Sequence, residues 1–303
     1  MSGLVDVHTH AFPTAQMGID WQAIVGVSAP RRTGELSELL GIMDSAGIDQ
    51  AVILLYPRSG EHYECELARA GAGHEAEVKE KVRQEIWSLN RWGCRAAAKN
   101  PRLVPFVGIN VRFLSAAEAV AEIDEMVSLG ARGVKIIPPS MQLYADDALL
   151  EPVFQRCWEL GLPVLSQSGD GGGPPPSPGA DHFGRPRYHG RVLENFPGLT
   201  LVLAHMGHGY LEDVVELTSR FPSLYTDTSL QLSGLGKPGR PTGADVVQAM
   251  RRIGVDRVLF GSNYPMANPS GYAKTLEELP LTSAERDLLA SGNFQRALAG
   301  RAR

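Results

Sequence analysis

Eight short runs rich in Val, Ile and Leu recur along the chain, each separated from the next by residues with helical spacing, and this alternation limits the fold more than any other feature. The runs are Leu4–His8, Ala51–Leu55, Leu103–Ile109, Gly133–Ile137, Pro163–Ser166, Leu199–Ala204, Leu224–Thr228 and Arg257–Gly261. Most are continuously apolar, the mark of parallel strands covered on both faces. Between them, Leu36, Leu39, Leu40 and Met43 form one amphipathic set, and Val78, Val82, Ile86 and Leu89 form another. A third opens with Ser115-x-x-Glu118 and continues through Val120, Ile123 and Val127, and a last one opens with Thr282-x-x-Glu285; both openings read as capping boxes. Eight βα units in 303 residues predict an α/β fold, a (β/α)8 TIM barrel forming a single domain over 1–303, since about 250 residues is typical of such barrels. A doubly wound sheet would call for a glycine-rich turn after the first strand, where this chain has His8-Thr9-His10. Two long loops, 56–75 and 168–189, are expected over the barrel mouth.

Composition narrows the function. With 43% hydrophobic and 21% charged residues, the chain is an ordinary folded protein with a large core. A formal charge of −5 with scattered basic residues argues against nucleic acid as a partner. Cys65, Cys94 and Cys157 are odd in number and lack CxxC spacing, so reduced thiols are expected. No stretch approaches a membrane span, and the N-terminus runs directly into a strand, so no membrane partner and a cytoplasmic location are expected. The expected partner is a small-molecule substrate, with a homo-oligomer left open.

A barrel should gather its functional side chains at the C-terminal ends of its strands. His8 and His10 end the first run and Arg58 follows the second; Asn110 and Arg112 follow the third, and Lys135 lies near the end of the fourth. Gln167, His205, Asp227 and Asn263 close the remaining four. Alternate residues of a strand share a face, so the two imidazoles of His8-x-His10 make a half-site for a divalent metal such as zinc. The loop at 56–75 carries Arg58, and that at 168–189 carries His182 and Arg185 around the run Gly171 to Pro176. With Arg112, these suit a carboxylate, phenolate or polar ring, because arginine holds planar anions in bidentate fashion.

The segments Val5-Asp6-Val7-His8-Thr9-His10, Gly133-Val134-Lys135-Ile136-Ile137-Pro138, Pro163 to Gly169, Leu201 to Gly207 and Leu259 to Pro265 together resemble the successive strand-end motifs of the amidohydrolase-related family of TIM-barrel metal enzymes. The resemblance implies a hydrolase or non-oxidative decarboxylase acting on small, often carboxylated or cyclic molecules, with one divalent metal, usually zinc. It makes His8 and His10 metal ligands and His205 the catalytic histidine. Two positions depart from it: Gln167 stands where the family has a metal-binding His, and Asn263 where it has an Asp that also takes a proton from water. A neutral amide is a poorer ligand than imidazole or carboxylate and is no general base.

Three readings follow. One is a metal enzyme, hydrolysis favoured and carbon–carbon lysis the alternative, with Gln167 or Asn263 as a weak ligand. A second is a metal-free, lactonase-like barrel in which His205 moves protons and Lys135, Arg58 or Arg112 stabilises an anion. A third is a non-catalytic ligand-binding barrel. Lys135 is expected as a plain lysine in preference to a carboxylated bridging ligand.

Overall fold

The computed structural model describes residues 3–171 and 175–299. Eight strands, β1 (Leu4–Thr9), β2 (Ile48–Leu55), β3 (Leu103–Gly108), β4 (Gly133–Ile136), β5 (Val164–Ser166), β6 (Leu201–Leu203), β7 (Leu224–Asp227) and β8 (Val258–Leu259), lie in sequence order in one sheet. Every neighbouring pair is parallel. The seam between β8 and β1 is closed by backbone bonds from Val7 N to Phe260 O, Asn263 N to His8 O and His10 N to Tyr264 O, at 2.8–2.9 Å. The fold is therefore the expected TIM barrel, with each of the eight predicted runs supplying its strand.

Period-two alternation divides the strands between two apolar layers. Val52, Leu54, Phe106, Leu165, Val202, Tyr225 and Leu259 form an inner cluster joined by Phe294 and Ala297 of the last helix, Asn293–Ala299. Their neighbours Ile53, Leu55, Val107, Val134, Ile136, Val164, Leu201 and Leu224 belong to the outer cluster, beneath the helices. Among these helices are α1 (Ala15–Ala23), α2 (Leu36–Ala46), α3 (Ser59–Ala70), α4 (Glu75–Lys99) and α5 (Ala116–Ser128). Both predicted capping boxes form, at Ser115 with Glu118 and at Thr282 with Glu285.

Two expectations need correction. The segment 56–75 is not an open loop: α3 occupies most of it. It lacks an apolar periodicity because its buried residues are Ser59 and Gly60, where the helix passes so close to Ser140 that an added Cβ on Gly60 would lie 2.1 Å from the Ser140 carbonyl oxygen. In β1 the simple alternation breaks as well. Asp6 pairs with Ala51 but Thr9 with Ile53, three residues against two, a bulge of the kind found beside active sites. The bulge lets Val7 join the inner cluster while His8 and His10 both reach the mouth.

Within the segment 168–189, expected as a loop, the described residues 168–171 and 175–185 have no helix or strand, but a 3-10 turn at Pro186–Tyr188 leads into the helix His189–Asn195; Gly172, Gly173 and Pro174 of the Gly/Pro run lie outside the described residues. All three cysteines are free thiols. Among the described residues no helix is long and apolar enough to cross a membrane.

Candidate active site

Residues one alternation beyond the inner apolar layer build a polar floor at the C-terminal ends of the strands. Gln167 follows Leu165, Asp227 follows Tyr225, and Lys135 stands between the outward Val134 and Ile136. The ring centroids of His8 and His205 are 4.9 Å apart in a stacked pair, and those of His8 and His10 are 5.4 Å apart. All three imidazoles are buried. Gly261 leaves room for this packing, since a Cβ there would lie 3.0 Å from that of His8 and 3.4 Å from that of Asp227.

A continuous hydrogen-bonded chain joins these groups. Gln167 Oε1 is 3.1 Å from His205 Nε2, and His205 Nδ1 is 2.6 Å from Ser229 Oγ. Ser229 Oγ contacts Asp227 Oδ1, and Asp227 Oδ2 is 2.9 Å from His8 Nδ1. Asp227 Oδ1 also accepts from the backbone N–H groups of His205 and Ser229, both at 3.0 Å. Burial favours the protonated acid at Asp227, but the adjacent His8 ring and its hydrogen bond outweigh burial and hold the carboxylate ionised, well below the usual range. Burial pushes His205 and His10 well below the ordinary histidine value, and His8 below it, so all three rings are neutral at pH 7.

His205 itself adopts φ +64°, the left-handed region that non-glycine residues enter at a cost of about 1 kcal/mol or more. Gln231 Nε2 donates to its carbonyl at 2.8 Å and Asp227 accepts its N–H, which together hold the strained turn. Asn263, also left-handed at φ +69°, donates its N–H to the His8 carbonyl on the barrel seam.

Lys135 is fully buried, and among the described residues its Nζ has no hydrogen-bond partner. Burial pushes the ammonium down to about 7, with Arg58 adding to the fall and Asp227 opposing it. Its charge in turn lowers the affinity of all three imidazoles for protons. Arg58 precedes α3 in a left-handed turn, lies 3.8 Å over the Trp21 ring, and has a buried Nε without a partner. Trp21 also packs against His10, at 4.6 Å between centroids, and is fixed by a 2.8 Å bond from Nε1 to the Tyr56 carbonyl.

The structure thus gathers His8, His10, Lys135, Gln167 and His205, with Arg58 reaching them through Trp21 and its field on Lys135. Three other candidates are engaged differently. Arg112 pairs with Glu64 and lies over Tyr63, and Arg185 pairs with Asp181 and with Asp213 at 3.0 Å, so both guanidiniums are spent on carboxylates. His182 is buried, and its Nδ1 accepts from Gly184 N at 3.0 Å. Three participants escaped the sequence reading of the site, and a fourth was named without its role. Asp227 was visible as a strand-end acid, but its bond to His8 was not. Ser229, Trp21 and Asp6 carried no separate signal, although Asp6 lies in the first motif. Asp6 Oδ1 accepts from the N–H groups of His8 and Ser262 at 3.1 and 2.9 Å, while burial pushes the carboxyl up to about 7.

The donor chemistry fits a divalent cation at one place. His10 Nδ1 lies 3.2 Å from the Leu54 carbonyl, which can only accept, and His8 Nδ1 bonds an ionised carboxylate. Both rings therefore carry their proton on Nδ1 and keep a lone pair on Nε2, the tautomer that metal-ligating histidines adopt. His8, His205 and Asp227 also bring one donor atom each within 4.8 Å of one another. In that set Asp227 serves as the hydrogen-bond partner of His8, and both nitrogens of His205 are already bonded.

The family model described as amidohydrolase matches residues 5–298. Over 118 residues, 34% of this chain and 35% of the relative's length, the sequence is 25% identical to a gamma-resorcylate decarboxylase of Polaromonas sp. JS666. Among solved structures, a 2,6-dihydroxybenzoate decarboxylase from Rhizobium superposes with a TM-score of 0.71 at 18% identity, over 98% of this chain and 99% of that one. A dihydroxybenzoic acid decarboxylase from Polaromonas sp. JS666, with bound manganese and 2-nitroresorcinol, gives 0.73 at 17% identity, over 98% and 97%. At these identities the two structures establish the shared fold.

Proposed function

This chain belongs to the amidohydrolase family, and from that premise we propose that it is a carbon–carbon lyase, a non-oxidative decarboxylase of a small carboxylated aromatic acid, in place of the hydrolase favoured by the sequence. The observation that carries this reading is the charge of the site. In the hydrolytic reading, the family resemblance assigns the removal of a proton from water to a strand-end carboxylate. Here Asn263 replaces that residue, and Asp227 is tied to His8 and Ser229. The buried ammonium of Lys135 and the incompletely paired Arg58 instead suit an anionic substrate. That the relatives named above are decarboxylases of such acids supports the same choice.

His8 and His10 would hold one divalent cation through Nε2, and when bound it would polarise substrate oxygens as a Lewis acid. Lys135 and Arg58 bind the acid and balance its charge. The substrate's negative charge beside His205 favours the imidazolium. His205 then gives its proton to the ring carbon as the carbon–carboxylate bond breaks, so ArCOO⁻ and imidazolium become ArH, CO₂ and neutral imidazole. Gln167 and Ser229 hold the ring in place for that transfer.

Incubation with 2,6-dihydroxybenzoate and its dihydroxybenzoate isomers, with manganese or zinc supplied, should release one CO₂ per acid consumed, and replacing both His8 and His10 by Ala should remove the metal dependence together with most of the activity. Failure on every acid, alongside hydrolysis of an ester or lactone panel, would overturn the proposal.

A further inference from the structure

A cavity lined by Trp21 does not contain the imidazole cluster. It has a volume of about 1150 Å³ and lies between α1, α3 and α4, with Trp21 in its lining and His10 outside it. This exceeds the ~300–1,000 Å³ of ordinary ligand pockets. Its inner wall is aromatic and apolar, formed by Phe12, Trp21, Pro57, Leu89 and Trp92. Ion pairs occupy its rim, with Glu66 held by Lys81 and Glu85 held by His62 at 2.6 Å.

Chain connectivity ties this space to the centre. Phe12 follows His10 by two residues on the loop after β1, and Pro57 immediately precedes Arg58 on the loop after β2. Trp21 belongs to both sites, lining the cavity while its ring contacts His10 and carries the Arg58 guanidinium. A group that touches Trp21 from the cavity therefore touches a ring that itself contacts a histidine of the centre.

Resting on the aromatic-acid reading above, we infer that this cavity receives an aromatic arm of the substrate, so that the enzyme acts on a biaryl or similarly extended aromatic acid and Trp21 is a specificity-determining residue. The carboxylate end lies with Lys135 and His205. The arm passes the edge of Trp21 and meets Phe12, Leu89 and Trp92. The paired charges at the rim repel a free acid group there and leave the apolar wall for the arm.

Calorimetric titration of the protein with salicylate and with its 4-phenyl and 5-phenyl derivatives tests this. At least one phenyl derivative should bind roughly tenfold or more tightly than salicylate, from the apolar area buried. Ser88 and Gln84 line the cavity from exposed positions on α4, so Ser88→Trp and Gln84→Trp fill it without disturbing the core. Both should abolish the gain while leaving salicylate affinity within about twofold. Equal affinities in the wild type, or a gain that survives both fillings, would overturn the inference while leaving the decarboxylase reading intact. Biphenyl binding without effect on that of the phenyl acids would make the cavity an independent site and also overturn it. If no acid binds at all, the aromatic-acid reading falls and this inference with it.

Discussion

Replacing His205 by Asn lowers turnover by about 10²-fold or more, the usual contribution of a general acid–base residue, and leaves the fold intact. The reasons lie in its surroundings. His205 lies in the turn two residues after β6, in a left-handed conformation that Asn tolerates better than most residues, so the substitution keeps the backbone bonds to Asp227 and Gln231. It removes the imidazole stacked on His8 and bonded to Gln167 and Ser229. Asn263, which stands where the family resemblance has a proton-carrying Asp, is an amide and cannot take over that role. Steady-state rates with circular dichroism of the variant check this: a normally folded His205→Asn protein turning over at the wild-type rate would reduce His205 to a packing role.

Lys135→Met is expected to stabilise the protein while abolishing its activity. Burial of an ammonium with no hydrogen-bond partner among the described residues opposes folding, and it pushes the pKa of Lys135 down from 10.5 to about 7. At 1.36 kcal/mol per unit, the stability gained by removing it at pH 7 is on the order of 4 kcal/mol. The sign follows from proton counting. Between pH 7 and 10.5 the unfolded chain binds more protons at Lys135 than the folded one, so wild-type stability rises with pH across that window. The advantage of the variant should therefore be largest at and below pH 7 and shrink toward pH 10. Urea denaturation at pH 7 and pH 9.5 gives both numbers. A variant less stable than wild type at pH 7 would mean that Lys135 has a stabilising partner in the folded protein. Retention of full activity would remove it from the site. Functional groups held at a cost in stability are where such trade-offs are found.

Much of the architecture was legible because parallel strands buried on both faces leave a strong signature, and every apolar run became a strand. What escaped notice has physical causes. The bulge in β1 depends on the pairing of Asp6 and Thr9 with β2, which no single strand reveals. The helix α3 was hidden because its close approach to the barrel is made by Ser59 and Gly60, residues usually read as loop formers. At the site, strand-end positions identified His8, His10, Lys135, Gln167 and His205, since that is where a barrel places its chemistry. The sequence could not assign partners. Gln167 was read as a weak metal ligand, yet its amide oxygen lies against His205; Arg112 and Arg185 were read as substrate anchors, yet both are paired with acids on neighbouring segments. Long-range pairs such as Asp227 with His8, separated by 219 positions, exist only once the barrel closes.

The most direct test of the decarboxylase account is isotopic. A candidate aromatic acid is turned over in D₂O and, separately, in H₂¹⁸O, and the product is weighed by mass spectrometry. Lysis of the carbon–carboxylate bond with protonation by His205 predicts one deuterium on the ring carbon for each CO₂ released, no ¹⁸O in the aromatic product, and loss of both deuterium uptake and CO₂ in His205→Asn. Product carrying ¹⁸O at a newly formed hydroxyl or carboxyl, with no carbon-bound deuterium and no CO₂, would show hydrolysis and contradict the account.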